Sequence, residues 1–191
     1  MSSVPLHKLW TQEEFFAWAE AQEERYEFDG LQPVAMSGGT LAHDFISHNL
    51  YRAVDRRLPE GGPCRVMGPN AGVATTHSIV RFPDALISCS QQDLGSRQAV
   101  GALVVFEVIS ESTVATDRIL KVREYAAVAS ILRYVLVEST FHGVTVLARK
   151  RPEEVWGTST LTLEDTLRVP EVGIEFPVAA LYRDVPLLTA L

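Results

Sequence analysis

Apolar and polar positions along the chain fall into short periodic runs divided by turn-forming residues. Thr11-Gln12-Glu13-Glu14 fits a capping box, in which the Thr hydroxyl receives a free helix amide and the glutamate reaches back. Phe15, Phe16 and Trp18 then form the apolar side of a short helix ending near Gln22. Arg25 to Phe28 alternates as a strand does, Asp29-Gly30 predicts a hairpin turn, and Leu31 to Met36 returns as a second strand. Pro33 marks that second strand as an edge, because proline cannot donate to a ladder. After the break at Ser37-Gly38-Gly39-Thr40, Phe45, Ile46, Leu50, Val54 and Leu58 recur at helical spacing across Leu41 to Leu58.

Short strands are predicted at Cys64–Met67, Gly72–Thr75 and Ile79–Ile87. Leu103 to Ile109 is apolar without alternation, which implies a central strand covered on both faces. A helix opening at Asp117 has Ile119, Leu120, Val122, Tyr125, Ala126 and Ala129 as its apolar contact surface. Tyr134–Glu138 and Val144–Ala148 read as strands joined through Phe141-His142-Gly143, with more exposed strands at Val155–Leu163 and Leu167–Val169. Leu181, Val185, Leu187 and Leu188 form an apolar tail that either caps the core or offers a contact surface. The order of elements predicts one α/β (α+β) domain over residues 1–191, a mixed sheet flanked by helices, with residues 1–10 a loose lead-in.

Composition adjusts this picture only slightly. A chain of 191 residues that is 47% hydrophobic and 21% charged can bury a good core. No apolar run approaches the roughly 20 residues of a membrane span, and no signal-type leader is evident, so a cytoplasmic protein without membrane attachment is expected. Cys64 and Cys89 have no metal-type spacing and are expected as reduced, buried small apolar residues. A formal net charge of −7 argues against a surface that grips nucleic acid everywhere, while leaving room for a local basic channel.

Candidate chemistry centres on Arg81 to Lys121. Glu107 interrupts the most apolar strand, where an unpaired carboxylate would cost several kcal/mol. It needs a metal, a cation or an opening to water, and an ion pair with an arginine is the plain alternative. Asp84 raises the same question on the neighbouring run, and if the two strands pair, the acids stand close enough to share one metal. Mg²⁺ or Mn²⁺ suits such oxygen donors, and Lys121 on the following helix is placed to orient water or offset phosphate charge. Glu27 is either a further acidic member or a solvated acid on a hairpin. His43, Arg118 and Arg123 are candidate phosphate contacts, with an ordinary exposed surface as the alternative. Ser110 and Ser112 lack a G-x-S-x-G turn, and neither a phosphate loop nor a dinucleotide fingerprint is present.

Phe82-Pro83-Asp84, Phe106-Glu107-Val108-Ile109-Ser110 and Lys121 four residues before Tyr125 together resemble the Uma-two family of restriction-endonuclease-like proteins. That family belongs to the PD-(D/E)XK nuclease superfamily. Tyr26-Glu27 before Asp29-Gly30, Val34-Ala35-Met36-Ser37, His43, and Tyr134 to Glu138 extend the resemblance over most of the chain, with Glu138 where aspartate is usual. The resemblance implies a restriction-endonuclease-like fold and an endonuclease that hydrolyses phosphodiester bonds of nucleic acid, with DNA the expected substrate. Asp84 and Glu107 would be the metal ligands, and Asp84, Glu107, Lys121 and Glu27 the catalytic set. The superfamily motif has lysine two residues after the second acid; Ile109 stands there, so Lys121 would be a migrated substitute. A non-catalytic binding module on the same fold is the alternative, and a homodimer would suit cleavage of both strands of a duplex.

Overall fold

In chain order the elements begin with α1 (Gln12–Glu20), β1 (Tyr26–Phe28), β2 (Pro33–Ala35) and α2 (Leu41–Asp55). Next come β3 (Arg65–Met67), β4 (Val73–Ala74), β5 (Val80–Arg81), β6 (Ala85–Ser88) and β7 (Ala102–Ile109). A wide helical turn at Thr116–Leu120 leads into α3 (Lys121–Ala126). The remainder is β8 (Arg133–Glu138), β9 (Val144–Ala148), β10 (Gly157–Leu161), β11 (Thr166–Val169) and β12 (Ile174–Pro177). The computed structural model describes residues 10–36, 38–109 and 116–187. Residues 1–9 of the expected lead-in, Ser37, Ser110, Ser112 and Leu188 lie outside the described residues.

The main sheet has the order β10-β9-β8-β7-β6-β3, and β7 runs parallel to β8 while its other neighbour, β6, is antiparallel. The central position expected for the apolar run is therefore occupied by β7. A smaller sheet has the order β2-β1-β5-β4, with β2 at its edge, as Pro33 requires. The chain is thus of the mixed-sheet α+β class predicted. Alternation along β7 feeds two cores. Val104, Phe106 and Val108 face Ile46, Leu50 and Val54 of α2 together with Leu167, Phe176 and Leu181. Val105 and Ile109 belong to the opposite cluster, with Tyr125 of α3 and Tyr134.

Local signals explain several elements. Thr11 and Glu14 form the predicted capping box of α1. The β1–β2 turn is longer than a two-residue hairpin: Asp29 Oδ1 accepts the amides of Leu31 and Gln32 at 2.8 and 2.7 Å, and Gly30 has φ 91°.

Three expectations change. The single strand over Ile79–Ile87 is two, β5 and β6, lying in different sheets. Pro83 breaks the ladder because it has no amide to give. The expected contact surface of the third helix holds only in part: Tyr125 is buried and Val122 packs against the core, but Ile119 and Leu120 are 60% and 51% exposed and Lys121 is buried instead. Of the two readings of the apolar tail, capping of the core is the one seen, since Leu181 and Val185 are buried in the α2-side cluster. Cys64 and Cys89 are not reduced, buried apolar residues; they are half-buried and joined by a disulfide across the ends of the β3–β6 pair.

The 25-residue separation of that bridge gives a loop whose closure stabilises the fold by about 3 kcal/mol in the chain-entropy model. Urea unfolding of the Cys64→Ser/Cys89→Ser protein is expected to show a loss of that order. A loss under about 0.5 kcal/mol would mean that the bridge constrains nothing in solution.

Candidate active site

Glu107 sits mid-strand in β7 on the face that α3 covers, and two donors from α3 meet it. Lys121 Nζ lies 2.8 Å from Glu107 Oε1, and Tyr125 donates its hydroxyl to the same oxygen at 3.2 Å. Lys121 and Tyr125 are four residues apart, one helical turn, so both reach the strand from one side. Glu107 and Lys121 are only 4% and 5% exposed, and in that setting each charge depends on the other. Burial, then the negative charge of Glu107, pushes the Tyr125 hydroxyl well above its usual range, so it remains a donor.

Glu27 completes this arrangement from the smaller sheet. Its Oε1 is 3.3 Å from Lys121 Nζ and accepts the Phe82 amide at 3.2 Å. That amide lies at the break before Pro83, where the ladder stops, so a side chain replaces the missing strand partner. Arg81 donates to Glu27 Oε2 at 3.0 Å and grips Glu124 of α3 with two further bonds of 2.7 and 2.8 Å. Burial would lower the Arg81 pKa, but hydrogen bonding to Glu124 and the charge of Glu27 more than offset it, leaving it raised. Glu27 is therefore buried and paired rather than a solvated hairpin acid.

Asp84 follows the break. Ala85 pairs with Phe106, and the same antiparallel register continued by one residue sets Asp84 opposite Glu107. Its Oδ2 accepts the Val108 amide at 2.7 Å, so the two acids share one stretch of backbone. His43 Nε2 lies 3.4 Å from the same oxygen. His43 is held in the first turn of α2, where Thr40 Oγ1 caps its amide at 3.2 Å. Asp84 and His43 both line a cleft of about 490 Å³, with Arg25, Thr40, Ser47 and Gly68 among its walls.

The structure joins Glu27, Glu107 and Lys121 in one network, and sets Asp84 with His43 in a second one that meets the same strand at the Val108 amide. Arg118 and Arg123 are not seen in either network: Arg118 pairs with Glu138, and Arg123 is exposed. Glu124 and the Tyr125 hydroxyl were missed as members. Arg81 and Glu124 are 43 residues apart and ordinary charged residues by type, so only the fold reveals their pairing. The chemical class is a set of hard oxygen donors next to a lysine. Four carboxylates, those of Glu27, Asp84, Glu107 and Glu124, stand against two permanent cations, Lys121 and Arg81, so the formal balance is negative when His43 is neutral. Among the described residues no group of three or more His, Cys, Asp or Glu side chains is arranged to hold a metal ion.

The six-stranded mixed sheet flanked by helices defines an α+β fold. The family model described as "Uma2: Putative restriction endonuclease" matches residues 12–179, and the chain belongs to that family. It is 32% identical over 183 residues to "Uncharacterized protein slr1290" of Synechocystis sp., the match covering 95% of each chain. Its fold also resembles a crystal structure from Anabaena variabilis described as "a putative nuclease belonging to DUF820", with a TM-score of 0.69. That match is 13% identical in sequence and covers 91% of this chain and 98% of the other.

Two outcomes test the geometry. Lys121→Met leaves buried acids without their cation and is expected to cost about 3–5 kcal/mol in urea unfolding. Lys121→Met/Glu107→Leu should recover part of that loss, and strict additivity would mean the pair is not coupled. The raised Tyr125 pKa stabilises the fold fully below the unfolded value near 10.0, and that contribution is lost as pH rises further. Tyr125→Phe is expected to reduce the loss of stability above pH 10 without altering its trend at neutral pH.

Proposed function

We propose that the chain is a Mg²⁺- or Mn²⁺-dependent endonuclease that hydrolyses phosphodiester bonds of DNA, acting as one domain. The observation that carries this reading is the register that sets Asp84 opposite Glu107 beside Lys121. The donors fit a hard divalent ion: both are carboxylates, the surroundings are formally negative, and Mg²⁺ commonly takes only one or two protein carboxylates. Asp84 is the more open of the two, half-buried at the cleft wall, and its Oδ1 has no hydrogen-bond partner among the described residues. Asp84 and Glu107 would hold the ion, which when bound polarises a phosphoryl oxygen and acidifies water.

The remaining roles belong to this chain's own groups. Lys121 stabilises negative charge near Glu107 and orients a water through its ammonium. Glu27 acts as a positioning residue, since it holds Lys121 on one oxygen while Arg81 steadies the other. Tyr125 fixes the Glu107 carboxylate by donating to it. His43 sets the orientation of Asp84 from the cleft side and faces a phosphate entering there. Arg123, exposed on α3, is a further phosphate contact, whereas Arg118 must first leave Glu138. No helix among the described residues is long and apolar enough to cross a membrane, and a cytoplasmic location suits access to nucleic acid. Duplex cleavage by a homodimer would have to use a surface other than Leu181 and Val185. A non-catalytic module on this fold is the second reading, favoured by the burial of Lys121 between two acids.

Plasmid and single-stranded DNA and RNA, incubated with Mg²⁺ or Mn²⁺, provide the test. Asp84→Ala and Glu107→Gln are expected to lower cleavage roughly 100-fold or more, with Lys121→Ala also impaired. Calorimetry should show metal binding that Asp84→Ala removes. Undiminished cleavage by both acid variants would exclude this site, and wild-type protein that neither cuts nor binds metal would establish the binding-module reading.

A further inference from the structure

The flank of α2 facing away from His43 has a different character. A cleft of about 410 Å³ there is lined by Asn49, Arg52, Ala53, Arg56, Arg57, Ala180 and Arg183, four arginines and no acid. Its volume falls in the range of small-ligand pockets. With 3.6 residues per turn, Asn49, Arg52 and Arg56 lie about half a turn around the helix from His43, Ser47 and Tyr51. The two clefts therefore lie on opposite flanks of α2.

A basic last turn is ordinary in itself, because it offsets the partial negative charge of a helix C-terminus. That explanation covers Arg52 and Arg56 but not Arg183, which comes from the other end of the chain. Asn49 Nδ2 donates to the carbonyls of Leu181 and Arg183, at 3.1 and 2.8 Å, and so fixes the last segment against α2. Arg57 has structural duties: Nη1 binds the Ala53 carbonyl at 3.0 Å, and its guanidinium lies 5.4 Å from the centre of the Phe176 ring. Arg52, Arg56 and Arg183 are exposed, and none forms an ion pair among the described residues. Three uncompensated guanidinia converging in a protein of net charge −7 concentrate a positive field that its composition does not suggest.

We infer that this cleft binds a chain of phosphate groups through Arg52, Arg56 and Arg183, apart from the Asp84–Glu107 cluster. Guanidinium forks match phosphate oxygens bidentately, and closely spaced cations favour several linked phosphates over a single anion. The phosphates come either from a nucleic-acid strand or from a free polyphosphate. Asn49 is the positioning residue, since it holds the Arg183 backbone in place.

Binding is to be measured by fluorescence anisotropy on the full chain, with a short labelled single-stranded oligodeoxynucleotide and chelator present so that no cleavage occurs. Arg52→Ala/Arg56→Ala/Arg183→Ala should weaken binding about 10-fold or more and flatten the salt dependence by about 2 units of log–log slope. Arg65→Ala/Arg151→Ala/Arg168→Ala removes the same charge elsewhere from exposed positions and should change binding far less. Inorganic tripolyphosphate at equal phosphate concentration distinguishes the sources: displacement of the oligonucleotide assigns the cleft to any phosphate chain, and failure to displace assigns it to the strand. Equal affinity of wild type and the cleft variant, equal damage by the control variant, or no binding by wild type would each overturn the inference.

Discussion

The ion pair of Glu107 and Lys121 is the constraint on which the rest of the structure depends. A carboxylate in the middle of a buried strand is tolerable only with its cation and hydrogen bonds in place. Supplying that cation from α3 determines which face of the helix turns inward. Lys121 and Tyr125 go in, and Ile119 and Leu120 stay largely exposed. The usual preference for apolar burial is overridden because leaving Glu107 unpaired would cost more than exposing two aliphatic side chains.

The same requirement reaches across to the smaller sheet. Lys121 has a second acid, Glu27, whose own position depends on Arg81 and on the free amide at Phe82. The break at Pro83 is thus more than a boundary between two strands. It releases an amide for Glu27, sends the chain from one sheet to the other, and delivers Asp84 opposite Glu107. An uninterrupted strand through this region would keep the Phe82 amide in a ladder and leave Glu27 without that anchor.

Helix α2 separates two electrostatic environments. Its first turn carries His43 against Asp84, where the surroundings are rich in carboxylates. Its last turns carry Arg52 and Arg56 beside Arg183 on the other flank. A net acidic chain can therefore present a locally basic cleft, since total charge says nothing of how charge is distributed over a surface.

The periodic runs by themselves determined the helices α1 and α2, the central place of β7 and the edge position of β2, while the family was legible only as a resemblance of motifs. They also singled out Asp84, Glu107 and Lys121, because a charge inside an apolar run is visible without a structure. Hydrophobic period, caps and proline are local properties, and they act within a few residues. Only the tertiary structure decided that Ile79–Ile87 divides between two sheets, that α3 turns its lysine inward, and that Cys64 meets Cys89. It also decided the partners of Arg81 and the place of Arg183 beside Arg52 and Arg56. Those outcomes depend on groups far apart in sequence, and the energy of pairing them appears only once the chain has brought them together.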